Sequence, residues 1–94
     1  MVDLNSPFEL DVIDDALAPE IFKGCVVRLD PHREPVSGKP VLVKDKHGKH
    51  YLRDYQPAVG DRWQAVASAP GFVTFDSVED ALQIVATVKG VDWP

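Results

Sequence analysis

His32, His47, His50 and Cys25 are the side chains best suited to bind a transition metal. Zinc sites that can be read from sequence repeat their ligands at short, fixed intervals such as Cys-x-x-Cys or His-x-x-x-His. No pair here has that spacing, so the histidines are expected at the surface. Cys25 opens a β-branched run and is expected to be a buried, inert thiol. Lys44, Lys46, Lys49 and Arg53 could together meet a phosphate, but Asp45 and Asp54 interrupt them and no aromatic platform accompanies them. They read as solubilising charge on a hairpin. Glycine-rich phosphate loops and dinucleotide fingerprints are absent. These residues lead to the expectation of no metal, no cofactor and no small-molecule substrate.

Charge narrows the classes further. The 94 residues carry a formal net charge of -5, whereas affinity for a phosphate backbone comes mostly from clustered Lys and Arg. If the protein acts at DNA, a separate N-terminal domain is expected to hold the DNA. Every ionisable side chain before Ile21 is acidic: Asp3, Glu9, Asp11, Asp14, Asp15 and Glu20. That run reads as a solvated strand edge, with docking of a basic linker or partner as the sharper alternative. With 45% hydrophobic and 27% charged residues, the composition is that of a folded globular protein. A single cysteine, no charged-then-apolar leader, and no apolar run near the ~20 residues of a membrane span lead to the expectation of a cytoplasmic protein without a membrane partner.

The elements that must position these residues are strands. Residues 1–7 are unpatterned and are expected to form a linker or flexible tail, leaving one domain over 8–94. Phe8 to Ile13 alternates apolar and polar residues and predicts a half-buried strand. Leu17 to Phe22 predicts a turn or single helical turn, Cys25 to Leu29 a strand that Asp30-Pro31 stops, and 32–39 a loop. Pro40 to Asp45 and Lys49 to Tyr55 flank Lys46-His47-Gly48 and predict a hairpin. Trp63 to Ala67 predicts a further strand, and Val73 to Phe75 a short one. Asp76 or Ser77 is placed to cap one helical turn through Leu82, with Glu79 as the capping-box partner. Ile84 to Val88 predicts the last strand, ending at Gly90. The fold class is therefore mainly β with short helical turns.

The order of these pieces resembles the C-terminal domains of LexA and the phage repressors, a family of Ser-Lys self-cleaving domains on a signal-peptidase-like fold. The resemblance runs from about Phe8 to Trp93. It rests on Asp14-Asp15-x-x-x-Pro19 leading to Gly24 and Asp30-Pro31, on Glu34-Pro35 followed by Gly38, and on the Gly48 hairpin with Arg53. The Ala69-Pro70-Gly71-Phe72 turn and the final Ile84-Val85-x-x-Val88 strand complete it. It implies a partly rolled β-sheet. It also implies that the family's serine nucleophile falls at Ala16, followed by Leu17 where the family has methionine, and that its lysine base falls at Leu52. Cys25 and Lys39 stand where the family often carries aspartate, which bears on local turns and not on the fold.

Neither Ala16 nor Leu52 can perform the nucleophile-and-base chemistry. Loss of both positions, not the serine alone, points to a naturally inactive lineage. In a strand His50 shares a face with Leu52, but a base needs a nucleophile, and Ser6, Ser37, Ser68 and Ser77 all lie outside the matched motif. The family's Ala-Gly or Cys-Gly cleavage dipeptides are absent too. The expected function is homodimerisation or higher oligomerisation of a LexA-like or phage-type transcriptional repressor. The alternative is a stand-alone regulatory protein that binds a LexA-like partner. Ile84, Val85, Val88 and Trp93 are the interface candidates, because a terminal apolar strand followed by a tryptophan suits an adhesive edge. Packing of Trp93 over its own sheet is the competing reading.

Overall fold

The alternating run that begins at Phe8 is extended as far as Asp11. The computed structural model describes residues 6–94, so residues 1–5, the greater part of the expected tail, lie outside the described residues. The strands are β1 (Phe8–Asp11), β2 (Val26–Asp30), β3 (Pro40–Lys44), β4 (His50–Pro57), β5 (Trp63–Val66), β6 (Phe75–Asp76) and β7 (Gln83–Asp92). They form one seven-stranded sheet in the order β1-β2-β7-β3-β4-β5-β6. Every pairing in it is antiparallel. The expectation of a mainly β protein holds in a stricter form: among the described residues there is no helix.

The β3–β4 hairpin sets the register of the centre, with Leu42 opposite Leu52 and Val43 opposite Tyr51. Its turn is tied by Asp45, whose Oδ1 accepts the amides of His47 (2.9 Å) and Lys49 (3.0 Å). Gly48 takes a φ of 80°, which a side chain would disfavour. Val41, Leu42 and Val43 are all buried, so both faces of β3 are covered. Leu42 packs with Val27, Leu29, Leu52 and Val12 on one side. Val41 and Val43 pack with Ala65 and Leu82 on the other, under Tyr51, Tyr55 and Phe75. Each fully buried Val or Leu contributes about 1.5–3 kcal/mol by leaving water.

Two expected boundaries move. The last strand does not stop at Gly90 but runs on to Asp92, opposite Val26. Gly90 works inside the strand because the Arg28 guanidinium lies across it, where a Cβ would collide. The segment after β6 makes a single turn, closed by Asp80 N–H donating to Asp76 C=O at 3.0 Å, and does not go on into a helix. Asp76 Oδ1 accepts the amides of Val78 (2.8 Å) and Glu79 (3.1 Å), as a cap should, but the Asp76 N–H donates in return to Asp80 Oδ2 and not to Glu79. Leu82 N–H then donates to Ser77 C=O and Ala81 N–H to Val78 C=O, the paired bonds of a Schellman ending. Start and stop signals lie so close that no helix fits between them. Leu17 to Phe22 is likewise a turn, with one bond from Ile21 N–H to Leu17 C=O.

The Schellman ending places Ala81 at a φ of 49°, in the left-handed region. That conformation costs an L-residue roughly 1 kcal/mol and a glycine nothing. Ala81→Gly should therefore raise the unfolding free energy by about 0.5–1 kcal/mol in urea denaturation. A loss of stability would mean that Ala81 does not sit in this conformation in solution.

Candidate functional site

Ala16 lies in the loop between β1 and β2 and is fully buried. Its N–H donates to Asp14 Oδ1 (3.1 Å), and its carbonyl accepts the amides of Ser68 (2.8 Å) and Ala69 (3.0 Å) from the loop after β5. It is thus a backbone junction between two loops. Leu52 sits in the middle of β4 and belongs to the same apolar cluster as Leu17, the neighbour of Ala16. Beside Leu52 is a recess of about 110 Å³ lined by Val12, Asp14, Leu42, His50 and Tyr51. His50 and Leu52 both line this recess, as does Tyr51 between them, and Ser68 does not. The Ser68 hydroxyl donates instead to Asp54 Oδ2 at 3.0 Å.

Arg53 overturns its assignment to solubilising hairpin charge. Only 3% of it is exposed. It faces Val41 across the β3–β4 pair, on the covered side of β4 with Tyr51 and Tyr55. Its Nη1 donates to Leu52 C=O at 2.7 Å and lies 3.5 Å from Asp14 Oδ2. The guanidinium carbon sits 5.4 Å from the ring centres of Tyr51 and Phe72 and 5.7 Å from that of Phe75. Nε, also buried, has no hydrogen-bond partner. Three ring faces and one carboxylate, 37% exposed on its side chain, replace most of the water that the charge has lost.

A larger concavity opens where the sheet divides. β2 pairs with Thr87–Asp92 of β7, whereas β3 pairs with Gln83–Thr87 on the opposite side. Among the described residues no strand covers Val88–Asp92 on the β3 side. Pro40 starts β3 without an amide, and Gly38 and Lys39 turn their backbone to Tyr55 of β4, so β3 does not extend to fill the gap. The result is a cleft of about 400 Å³. Leu17, Ile21, Val88 and Val91 give it apolar surface, and Glu20, Asp54, Ser68 and Thr87 give it polar groups.

Asp54 is the half-buried charge of this cleft. Burial pushes its carboxyl above the ordinary 3.8, and the facing charge of Glu20 adds to that; the Ser68 hydroxyl and the charge of Lys39 act the other way. A raised carboxyl favours the folded state while protonated. Its contribution is present below the unfolded pKa and is lost as pH rises through the folded one. Arg33, Lys39 and Lys89 also line the cleft, and all three are exposed.

The interface candidates divide. Ile84 packs into the cluster of Val41 and Val43, and Val85 and Val88 pack against that of Leu42 and Leu52. β7 is an interior strand, so its edge is open only in part. Trp93 stays 60% exposed while its indole N–H donates to Glu20 C=O at 2.7 Å. Its orientation is therefore fixed from within the chain, and much of its ring remains uncovered. No three His, Cys, Asp or Glu side chains converge as a metal-holding group among the described residues, and Cys25 is buried.

Against known proteins, the chain matches no protein-family model and no curated protein.

Sequence reasoning missed the cleft and the burial of Arg53. The cleft had no local signal, because its walls come from segments far apart in the chain. Arg53 had one: alternation from Tyr51 to Tyr55 places it among aromatic residues. The two partners of the buried pair should respond unequally to substitution. Asp14→Asn leaves the guanidinium buried with one carbonyl and should cost about 1–2 kcal/mol in chemical denaturation. Arg53→Met keeps a long stem under the rings and should cost less than about 1 kcal/mol. The reverse order would show that the charge itself stabilises the fold.

Proposed function

We propose that this chain is a non-catalytic self-association domain of a LexA-like or phage-type transcriptional repressor, with the partly rolled, signal-peptidase-like fold that its motif order resembles. The observation that carries the reading is the pairing of a chemically silent site with an uncovered one. At the position of the family's nucleophile, Ala16 is a buried junction of main-chain hydrogen bonds. At the position of the base, Leu52 is core. Meanwhile the half of β7 that ends at Asp92 lacks a neighbour on one side among the described residues, and Trp93 is held beside it with its ring exposed.

A free strand edge and an orientated aromatic are what strand-to-strand association uses. In this reading two copies associate, DNA is held by a separate N-terminal domain, and pairing raises each copy's effective concentration at a palindromic operator. The setting is the cytoplasm, and no cofactor takes part.

Sedimentation velocity from low to high micromolar concentration tests this directly. The chain should associate, and Trp93→Ala should shift it toward monomer with unchanged far-UV circular dichroism. The loss expected of an aromatic anchor is about 2 kcal/mol, or roughly thirtyfold in the dissociation constant. Incubation at alkaline pH should leave the intact mass unchanged. A chain that stays monomeric throughout removes self-association as its function and gives the lead to binding of a LexA-like partner.

A further inference from the structure

The cleft beside the free half of β7 has a recognisable binding chemistry. On the side away from β2, Val88–Asp92 has no strand partner among the described residues along roughly 16 Å, taking about 3.3 Å per residue. An edge of that kind accepts an added strand. The charges are arranged in depth. Asp54, half-buried, accepts a hydrogen bond from the Ser68 hydroxyl, and the exposed Glu20 lines the same cleft. The exposed cations Arg33, Lys39 and Lys89 stand around it. Trp93 forms the rim, its indole fixed by the Glu20 carbonyl.

We infer that the cleft receives an extended peptide segment of another protein, added as a strand along Val88–Asp92, with a basic side chain against Asp54 and Glu20 and acidic side chains on either side of it. A basic group suits Asp54, because the exposed Glu20 carboxylate lines the same cleft and disfavours a second negative charge there. Acidic flanks fit the exposed cations. In an extended peptide, alternate side chains point the same way, so a Glu-x-Arg-x-Glu pattern delivers all three charges to one face. This inference rests on the docking reading above and names a second kind of occupant for the same half-edge. A peptide strand and a second copy exclude one another there, so the peptide should also dissolve any self-association.

The blocked peptide Thr-Glu-Val-Arg-Val-Glu-Thr, titrated to about 1 mM into the ¹⁵N-labelled chain, provides the test. Amide shifts should concentrate on Val88–Asp92 and on Gly38 and Lys39. Replacing the central Arg by Glu should weaken binding roughly tenfold or more, and Asp54→Asn in the protein should weaken the Arg peptide by a similar factor. An N-methylated backbone should abolish binding. Shifts confined to other strand edges, equal affinity for the Arg and Glu peptides, or no shift at all would overturn the inference. Sedimentation of the chain alone reads the self-association separately, so a failure of the peptide inference is distinguishable from a failure of the docking reading.

Discussion

The offset pairing of β7 is the constraint on which the rest of the molecule depends. One strand of ten residues serves two neighbours, and they meet at Thr87, which lies opposite both Asp30 of β2 and Val41 of β3. Thr87 is buried, and its hydroxyl donates to Arg33 C=O at 2.9 Å, which fixes the loop after β2 at the same point. The pairing shifts register on each side of this junction, between Arg28 and Leu29 and between Leu42 and Val43. Such irregularities bend a strand and let a sheet change direction. The two core clusters lie on opposite faces of β3 because Leu42 alternates with Val41 and Val43. Among the described residues the same offset leaves Val88–Asp92 without a strand on the β3 side, so the geometry that completes the core also creates the cleft.

The loops around this sheet are joined by few but specific groups. The Ala16 carbonyl holds Ser68 and Ala69, Asp15 holds the amide of Lys23 at 2.9 Å, and Ser77 links the segment after β6 to Trp63. Arg53 sits among the same loops, between Asp14 and the ring of Phe72. A buried guanidinium with one unpartnered nitrogen adds little net stability. It does penalise any arrangement in which Asp14 or the aromatic residues move away, since the charge would then lie uncovered. Uniqueness of the loop arrangement, more than its depth in free energy, follows from that.

Local chemistry was legible in the sequence, and long-range arrangement was not. Alternation marked β1, apolar runs bounded by turn residues marked the other strands, the Lys46-His47-Gly48 turn followed from its residue types, and Asp30-Pro31 ended β2 where proline's missing donor requires. Gly90 misled because glycine usually marks an end, whereas here the missing side chain makes room for Arg28. Glu79 fitted the capping-box spacing, yet Asp80 reaches the Asp76 amide because the turn tightens immediately afterwards. Of the candidate site, the apolar character of Ala16 and Leu52 could be read directly from residue type. The interior position of β7 could not, because it follows from how β2 and β3, distant in sequence, pair with different halves of it. Asp54 looked like one charge in a hairpin pattern and became a cleft residue only through Glu20 and Ser68.

The central claim is that two copies of this domain meet at the half of β7 that β3 leaves uncovered. Residue-resolved amide hydrogen exchange at two protein concentrations tests it most directly. In dilute solution the amides of Val88–Asp92 that face the β3 side should exchange quickly, while those of Val41–Val43 stay protected. At high micromolar concentration the free half should become protected and the centre should not change. Protection of Val88–Asp92 that is already complete at low concentration, or that never appears at high concentration, would contradict the account.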